Sequence, residues 1–503
     1  MFPLLYEINT RCWLLELSDG CGRPIKLGNV PESQFEQWQQ FGFTHIWLMG
    51  VWSTGPRARA QALDHLGLRQ SYSDVFPNWA EADVAGSPYA IADYRVSDAL
   101  GGDAGLAQFR DKLRGYGMKL VLDFVPNHLG VDHSWLSLRP ELFVQSPTQA
   151  PETFAQESST GTFWLAHGKD PYFAAWTDTV QLDYRRTATQ EAMIQLLRSL
   201  AQRCDGLRCD MAMLLLNDVF VRTWQRFPNS SASTPVEFWQ AAIPAIKSDH
   251  PDFLFLAEVY WDLEPRLLSL GFDYTYDKTL YDRLVARQSA GVQCHLLESP
   301  PELVAHGAHF LENHDEPRIA SILSLAEHRA AALLILGLPG MRFLYQGQLT
   351  GACRKVPVQL GRCIKEPKQI EIENIYEQLL TTITRTAVGT GRAAFLRPRA
   401  AWQENPTAQN FIVVQWQTDP QTFDLVVVNL APHPSQCYVQ LKLPESALEE
   451  WSMEDLLGPE KYKRSGQDLQ ANGLYLDLPA HGARLFHFQP TGNGAPLPRS
   501  LKT

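Results

Sequence analysis

What this chain lacks narrows it quickly. The 503 residues contain no C-x-x-C pair. The eight cysteines, at 12, 21, 204, 209, 294, 353, 363 and 437, are scattered, which disfavours zinc and dithiol chemistry and suits the reduced thiols of a cytoplasmic protein. No run of Lys and Arg stands out, and the formal net charge is −11. The concentrated basic face that a nucleic acid or an anionic membrane needs is therefore missing. The longest apolar run, residues 330–338, is too short for a bilayer and meets Pro339, Gly340 and Arg342. Residues 1–7 carry no basic leader region, and Glu7, Asn9 and Arg11 interrupt the apolar residues there, so the start does not read as a secretory signal. No Gly-rich phosphate loop, Cys/His metal set or Ser-His-Asp order emerges. An apolar content of 45% with 20% charged residues excludes a disordered or fibrous chain and calls for two or three globular domains.

What the chain does have is alternation. Apolar, β-rich runs predict strands at 6–14, 44–49, 119–125, 206–210, 253–257, 273–275, 308–311 and 341–345. Helical periodicity lies between them, as at 31–40, 105–116, 187–204 and 217–249, the last with a loop at 228–235. Thr187-Ala-Thr-Gln190 has capping-box spacing. Alternating strands and helices imply parallel strands joined by crossovers, and eight of them favour an α/β fold closed as a (β/α)8 TIM barrel over a doubly wound sheet. The barrel is expected over 1–128 and 182–388. An inserted subdomain follows strand 3 at 129–181, with Trp135, Trp164 and Trp176. Residues 53–102, rich in Gly, Pro, Ser and Asp, read as a long irregular loop with a function. Beyond residue 389 the period changes to 2, at 411–416, 423–429, 437–441 and 474–478, with one short helix at 449–456. This predicts a C-terminal antiparallel β-sandwich over 389–490 and a flexible tail over 491–503.

In a parallel barrel the chemistry collects at the C-terminal strand ends, and here four of them are polar. They read Asp123…Asn127-His128, Arg208-Cys209-Asp210, Glu258-Val-Tyr-Trp261 and Glu312-Asn313-His314-Asp315. Arg208 and Asp210 alone read equally well as a structural ion pair. Four adjacent ends bringing carboxylates, two His and an Arg together do not. Such a cluster suits glycosyl transfer, which needs one carboxyl that protonates the leaving oxygen and one carboxylate that stabilises or attacks the developing oxocarbenium.

These four segments resemble, in order, spacing and strand position, the four signature regions of the α-amylase family (glycoside hydrolase family 13). The resemblance implies Asp210 as nucleophile, Glu258 as general acid/base and Asp315 as the carboxylate that binds and distorts the sugar. It further implies His128 and His314 as hydrogen-bonding partners of that sugar, Arg208 as the residue orienting Asp210, and Tyr89 as the ring stacked beneath it. Trp261 is left open between stacking on the leaving-group side and core packing. Three departures stand out. Met213 and Leu214 replace the family's frequent Lys-His pair, which makes the acceptor side more apolar. Ala90 stands where α-glucosidase-like members tend to carry Asp, and Gln346-Gly-Gln348 replaces the more usual Gly-Asp/Glu after strand eight. No cofactor is needed for the chemistry. A structural Ca²⁺ at Asn127 is open but not favoured, since the strand-four side and the Gln181 region offer no convincing ligands.

The expected activity is retaining hydrolysis of α-1,4-glucosidic bonds in maltooligosaccharides or glycogen-like and starch-like α-glucans. A transglycosylase or sugar phosphorylase on the same scaffold is the alternative, and a non-catalytic glucan-binding homologue is less favoured. The expected partner is an oligosaccharide, with no nucleic acid and no membrane. Oligomeric state is not legible.

Overall fold

The computed structural model describes residues 1–158, 161–228, 236–419, 421–443 and 450–491. Eight parallel strands close into a barrel: β1 (Leu4–Asn9), β2 (His45–Met49), β3 (Lys119–Phe124), β4 (Gly206–Cys209), β5 (Leu254–Ala257), β6 (Tyr274–Tyr276), β7 (Gly307–Phe310) and β8 (Met341–Tyr345). Each pairs with its sequence neighbours, and β1 closes the ring on β8 through Leu4↔Arg342 to Glu7↔Tyr345. Alternate residues point inward, so Leu5, Trp47, Val121, Leu256, Phe310 and Phe343 fill the lumen as one buried cluster. The outward residues meet the surrounding helices in the main core.

Two excursions rise from the C-terminal rim. After β3, a ribbon pairs His128–Gly130 with Thr179–Gln181, and between those strands a three-stranded sheet forms from Gln145–Ser146, Thr153–Ser158 and Gly161–Ala166. After β2, residues 53–102 are more ordered than composition suggests. They hold helices Pro56–Asp64 and Leu66–Val75 and a strand, Ile91–Val96, paired with Trp52–Thr54. Pro56 supplies the first helix with a preset φ at its start, and the His65 side chain caps the second by accepting from Leu68 N–H. Both signals are local, so a reading by composition passed over them.

The C-terminal strands form a six-stranded antiparallel sheet facing a three-stranded one. One inner cluster includes Val413, Leu425, Cys437, Trp451 and Phe488. The other face of strands Phe411–Gln417 and Phe423–Asn429 joins the barrel core through Val414, Trp416 and Val426. Trp416 donates its indole N–H to Gly337 O at 2.8 Å.

Four local expectations are corrected. Residues 10–14 are not strand: Asn9 caps helix Thr10–Cys21 by accepting from Cys12 N–H, which ends β1. The capping box at Thr187 does not form; Thr189 donates instead to Leu142 O and Gln190 to Tyr184 O, tying the helix start to neighbouring loops. The expected short helix at 449–456 is strand Glu450–Asp455, drawn out by pairing on both sides. Residues 229–235, 449 and 492–503, on which parts of the loop, helix and tail expectations fall, lie outside the described residues. Among the described residues, no helix is long and apolar enough to cross a membrane.

Candidate active site

Tyr89, His128, Asp210, Glu258 and Asp315 line one cleft of about 590 Å³ at the C-terminal rim. Arg208 and His314 sit directly beneath it, both about 99% buried or nearly so. All seven residues singled out in the sequence therefore meet at one place, arranged as two linked clusters.

The first cluster is built on Arg208, which β4 points into the lumen. Its Nη1 donates to Asp210 Oδ1 at 2.6 Å and its Nη2 meets Glu258 Oε2 at 2.6 Å. Its Nε donates to Tyr276 Oη at 3.2 Å, and its plane lies 5.3 Å from the Trp47 ring. The sequence assigned Arg208 to Asp210 alone, whereas the structure divides it between two carboxylates. Met211, at φ 42°, turns the chain sharply after Asp210. The turn brings Met211 N–H to Glu258 Oε2 at 2.8 Å, and Tyr260 O–H donates to Glu258 Oε1 at 2.7 Å. Glu258 thus accepts from three donors. Asp210 has only its share of Arg208, so burial first, then the Glu258 and Asp315 charges, push its carboxyl up to about 7 against the pull of the guanidinium.

The second cluster is built on His314. Its Nδ1 meets Glu7 Oε1 at 2.5 Å, and its Nε2 lies 2.9 Å from Asp315 Oδ2 and 2.7 Å from Tyr89 Oη. Tyr89 stacks on the imidazole, with centroids 5.4 Å apart. Burial opposes charge on the ring, but Asp315 and Glu7 on either side hold it protonated, well above the usual histidine range. In turn, although burial works against it, His314 keeps Asp315 well below the usual carboxylate range. His128 differs: burial alone brings it down to about 4, so it faces the cleft neutral, beside Trp176 at 5.1 Å.

Sequence reasoning missed four contributors: Glu7, Tyr260, Tyr276 and Trp176. Glu7 left a usable signal, being a carboxylate in the middle of an otherwise apolar first strand. Tyr276 left none, because a tyrosine in a barrel strand is ordinary core.

Other expectations are corrected. Met213 and Leu214 do not face the acceptor side; they are buried in the turn Ala212–Leu215, and Met211 lines the cleft instead. Trp261 is not core. It is 37% exposed, held at φ 66° beside Tyr172 with ring centroids 5.1 Å apart. Gln346 and Gln348 both serve as two-way hydrogen-bonding links. Gln346 accepts from Asn9 N–H and donates to Glu16, while Gln348 accepts from Tyr345 N–H and donates to Tyr376 Oη. A carboxylate at either position would forfeit one of those bonds.

Asn127 does not present a calcium corner. The Gln181 amide nitrogen itself occupies the point where Asn127 O, Asn127 Oδ1 and Leu182 O converge, at 2.9, 3.0 and 3.1 Å. A donor fixed there serves the three oxygens as a cation would, and the corner does not fit Ca²⁺.

A closed (β/α)8 barrel with a buried carboxylate–arginine–carboxylate cluster at its C-terminal rim defines the class. The chain belongs to the family described as alpha amylase, catalytic domain, whose model matches residues 33–415. It is 25% identical over 304 residues to an alpha-amylase, MalA, of Haloarcula japonica, covering 58% of this chain and 40% of that protein. It is 24% identical over 317 residues to maltase 1 of Drosophila virilis, covering 52% and 49%. The chain thus spans less than half the length of these relatives. Among solved structures it is similar to a maltogenic alpha-amylase, AmyB, of Thermotoga neapolitana, with TM-score 0.66, 18% identity and coverage of 97% and 98%.

Proposed function

We propose that this chain is a retaining α-glucan hydrolase that cleaves α-1,4-glucosidic bonds by double displacement. The observation that carries this reading is Arg208 gripping both Asp210 and Glu258. Two carboxyls each held at 2.6 Å by one guanidinium are drawn together, which supports the close spacing of about 5–5.5 Å that a retaining pair uses over the wider gap an inverting pair needs for water. Asp210 attacks the anomeric carbon, the glycosidic C–O bond breaks, and the leaving oxygen takes its proton from Glu258. Water then gives a proton back to Glu258 as its oxygen displaces Asp210, returning the sugar with its α-configuration. Ionised Asp315 and neutral His128 hold the hydroxyls of the reacting sugar, and Tyr89 supports its face.

The reaction needs one proton across the pair, on Glu258 when the bond breaks. The family membership and the relatives named alpha-amylase and maltase support the substrate class. The chemistry is read as needing no metal. Incubation with maltoheptaose, with NMR of the fresh product, tests the proposal. The α-anomer is expected, and the β-anomer would overturn it. Longer products from maltotriose alone would reassign the chain as a transglycosylase.

A further inference from the structure

We propose that Glu7, on the first barrel strand, is a positioning residue of this site: its contact with His314 fixes the ring that presents Asp315 and Tyr89 to the sugar. This rests on the α-glucan reading above and adds to it a residue 307 positions from its target in sequence.

Three observations carry it. Glu7 is 0% exposed in the lumen of the barrel, where an ionised group is costly unless it serves a partner. Its Oε1 lies 2.5 Å from His314 Nδ1, while its Oε2 has no hydrogen-bond partner among the described residues, so this carboxylate is spent almost wholly on one imidazole. The other ring nitrogen, Nε2, is 2.9 Å from Asp315 Oδ2 and 2.7 Å from Tyr89 Oη. With Nδ1 donating to Glu7, His314 carries a second proton on Nε2 to meet Asp315. A single line of contacts therefore runs from the barrel floor to the cleft wall.

The charged and titratable groups that face Glu7 and His314 come from several strands. Asp123 on β3 acts on both, Tyr276 on β6, Glu312 after β7 and Tyr345 on β8 feel Glu7, and Arg208 on β4 adds the opposite sign near Asp123 and Tyr89. Glu7, Asp315 and the Tyr89 hydroxyl touch His314 directly, and of these the two carboxylates carry charge. Removing the Glu7 charge leaves the ring paired on one side only, so it loses its second proton at a lower pH. A neutral ring cannot donate to both sides, and Asp315 loses its tether.

The test is Glu7→Gln, which keeps a hydrogen-bond acceptor for Nδ1 but not the charge, alongside Glu7→Asp. In Glu7→Gln the alkaline limb of kcat/KM should move down by about one pH unit or more, with activity near pH 6 within about threefold of the parent. Glu7→Asp should restore most of the limb. A uniform loss across pH, or an unmoved limb in a folded variant, would overturn the proposal. Should Glu7→Gln fail to fold, ¹⁵N-histidine NMR of the unmutated protein decides, with His314→Gln to assign the signal. Both ring nitrogens should stay protonated well above the ordinary histidine range, and ordinary titration near pH 6.5 would refute it. Asp210→Asn separates the two readings. If it leaves turnover intact, the α-glucan mechanism fails, whereas the NMR result on His314 stands or falls by itself.

Discussion

The two halves of the cleft floor use the same ingredients and reach opposite results. On one side Arg208 is shared by Asp210 and Glu258; on the other His314 is shared by Glu7 and Asp315. Each has one cation between two carboxylates, yet Asp210 is pushed up to about 7 while Asp315 is held well below its usual range. Neighbouring charge accounts for the difference. Burial raises both carboxyls, but Asp210 shares its guanidinium and also faces the Glu258 and Asp315 charges, whereas His314, Arg208 and Lys355 all lower Asp315. The lesson is that one cation between two carboxylates does not by itself set their protonation; the further charges around each carboxyl do.

The largest way to break this comparison is to remove a reacting group. Asp210→Asn should lower kcat at least about 10⁴-fold, and Glu258→Gln by about 10²–10⁴-fold, on natural oligosaccharides, with unchanged circular dichroism. Near-parental turnover in either purified variant would dissolve the distinction between the two halves.

Next in size is the shared cation. Arg208→Lys cannot reach Asp210, Glu258 and Tyr276 together, so it leaves buried carboxylates under-paired. A destabilisation of about 3 kcal/mol in urea unfolding is expected, with a loss of turnover beyond what the stability change explains. On the His314 side, a charge-neutral change should act through pH rather than through stability.

The raised carboxyl gives a third test, and its sign is definite. In the proposed mechanism Asp210 attacks only when ionised, so kcat/KM should fall about tenfold per unit as pH drops below about 7. In folding, its pKa lies above the unfolded value of about 3.9, so the native state binds the extra proton between those values. Stability then declines as pH rises through that window and stays reduced above it. Asp210→Asn should consequently melt higher than the parent at about pH 8 and gain little at about pH 4. Equal shifts at both pH values would contradict the raised value.

The smallest effect belongs to Tyr260, whose hydroxyl donates to Glu258 Oε1. Tyr260→Phe should cost about tenfold in kcat, the weight of one hydrogen bond to a charged group, and shift the pH profile slightly. Calorimetry should show little change in melting temperature, since the ring stays in place.

Much of this was legible in the chain itself. The eight barrel strands follow from short apolar runs, and Arg208 with Asp210, two residues apart in a buried strand, marks the rim. What could not be read was which groups share which. That Arg208 serves Glu258 follows from β4 and β5 lying in register at Arg208↔Leu256 and Cys209↔Ala257, a fact of pairing with no local trace. Glu7 did leave a trace, a carboxylate breaking an apolar stretch, but its partner did not: only barrel closure onto β8 carries it beneath His314. Residues 53–102 were misread because scattered Gly, Pro, Ser and Asp break up their periodicity, while the caps that start their helices are single residues.

The central claim is that Asp210 forms a covalent bond to the sugar. An intact-mass and peptide-mapping experiment on Glu258→Gln, incubated with α-maltosyl fluoride, tests it directly. The fluoride leaves without acid help, and deglycosylation is slowed for want of the base. The account predicts an adduct of one maltosyl unit on the peptide bearing Asp210. An adduct on Asp315, or turnover to a β-configured product with no adduct, would contradict it.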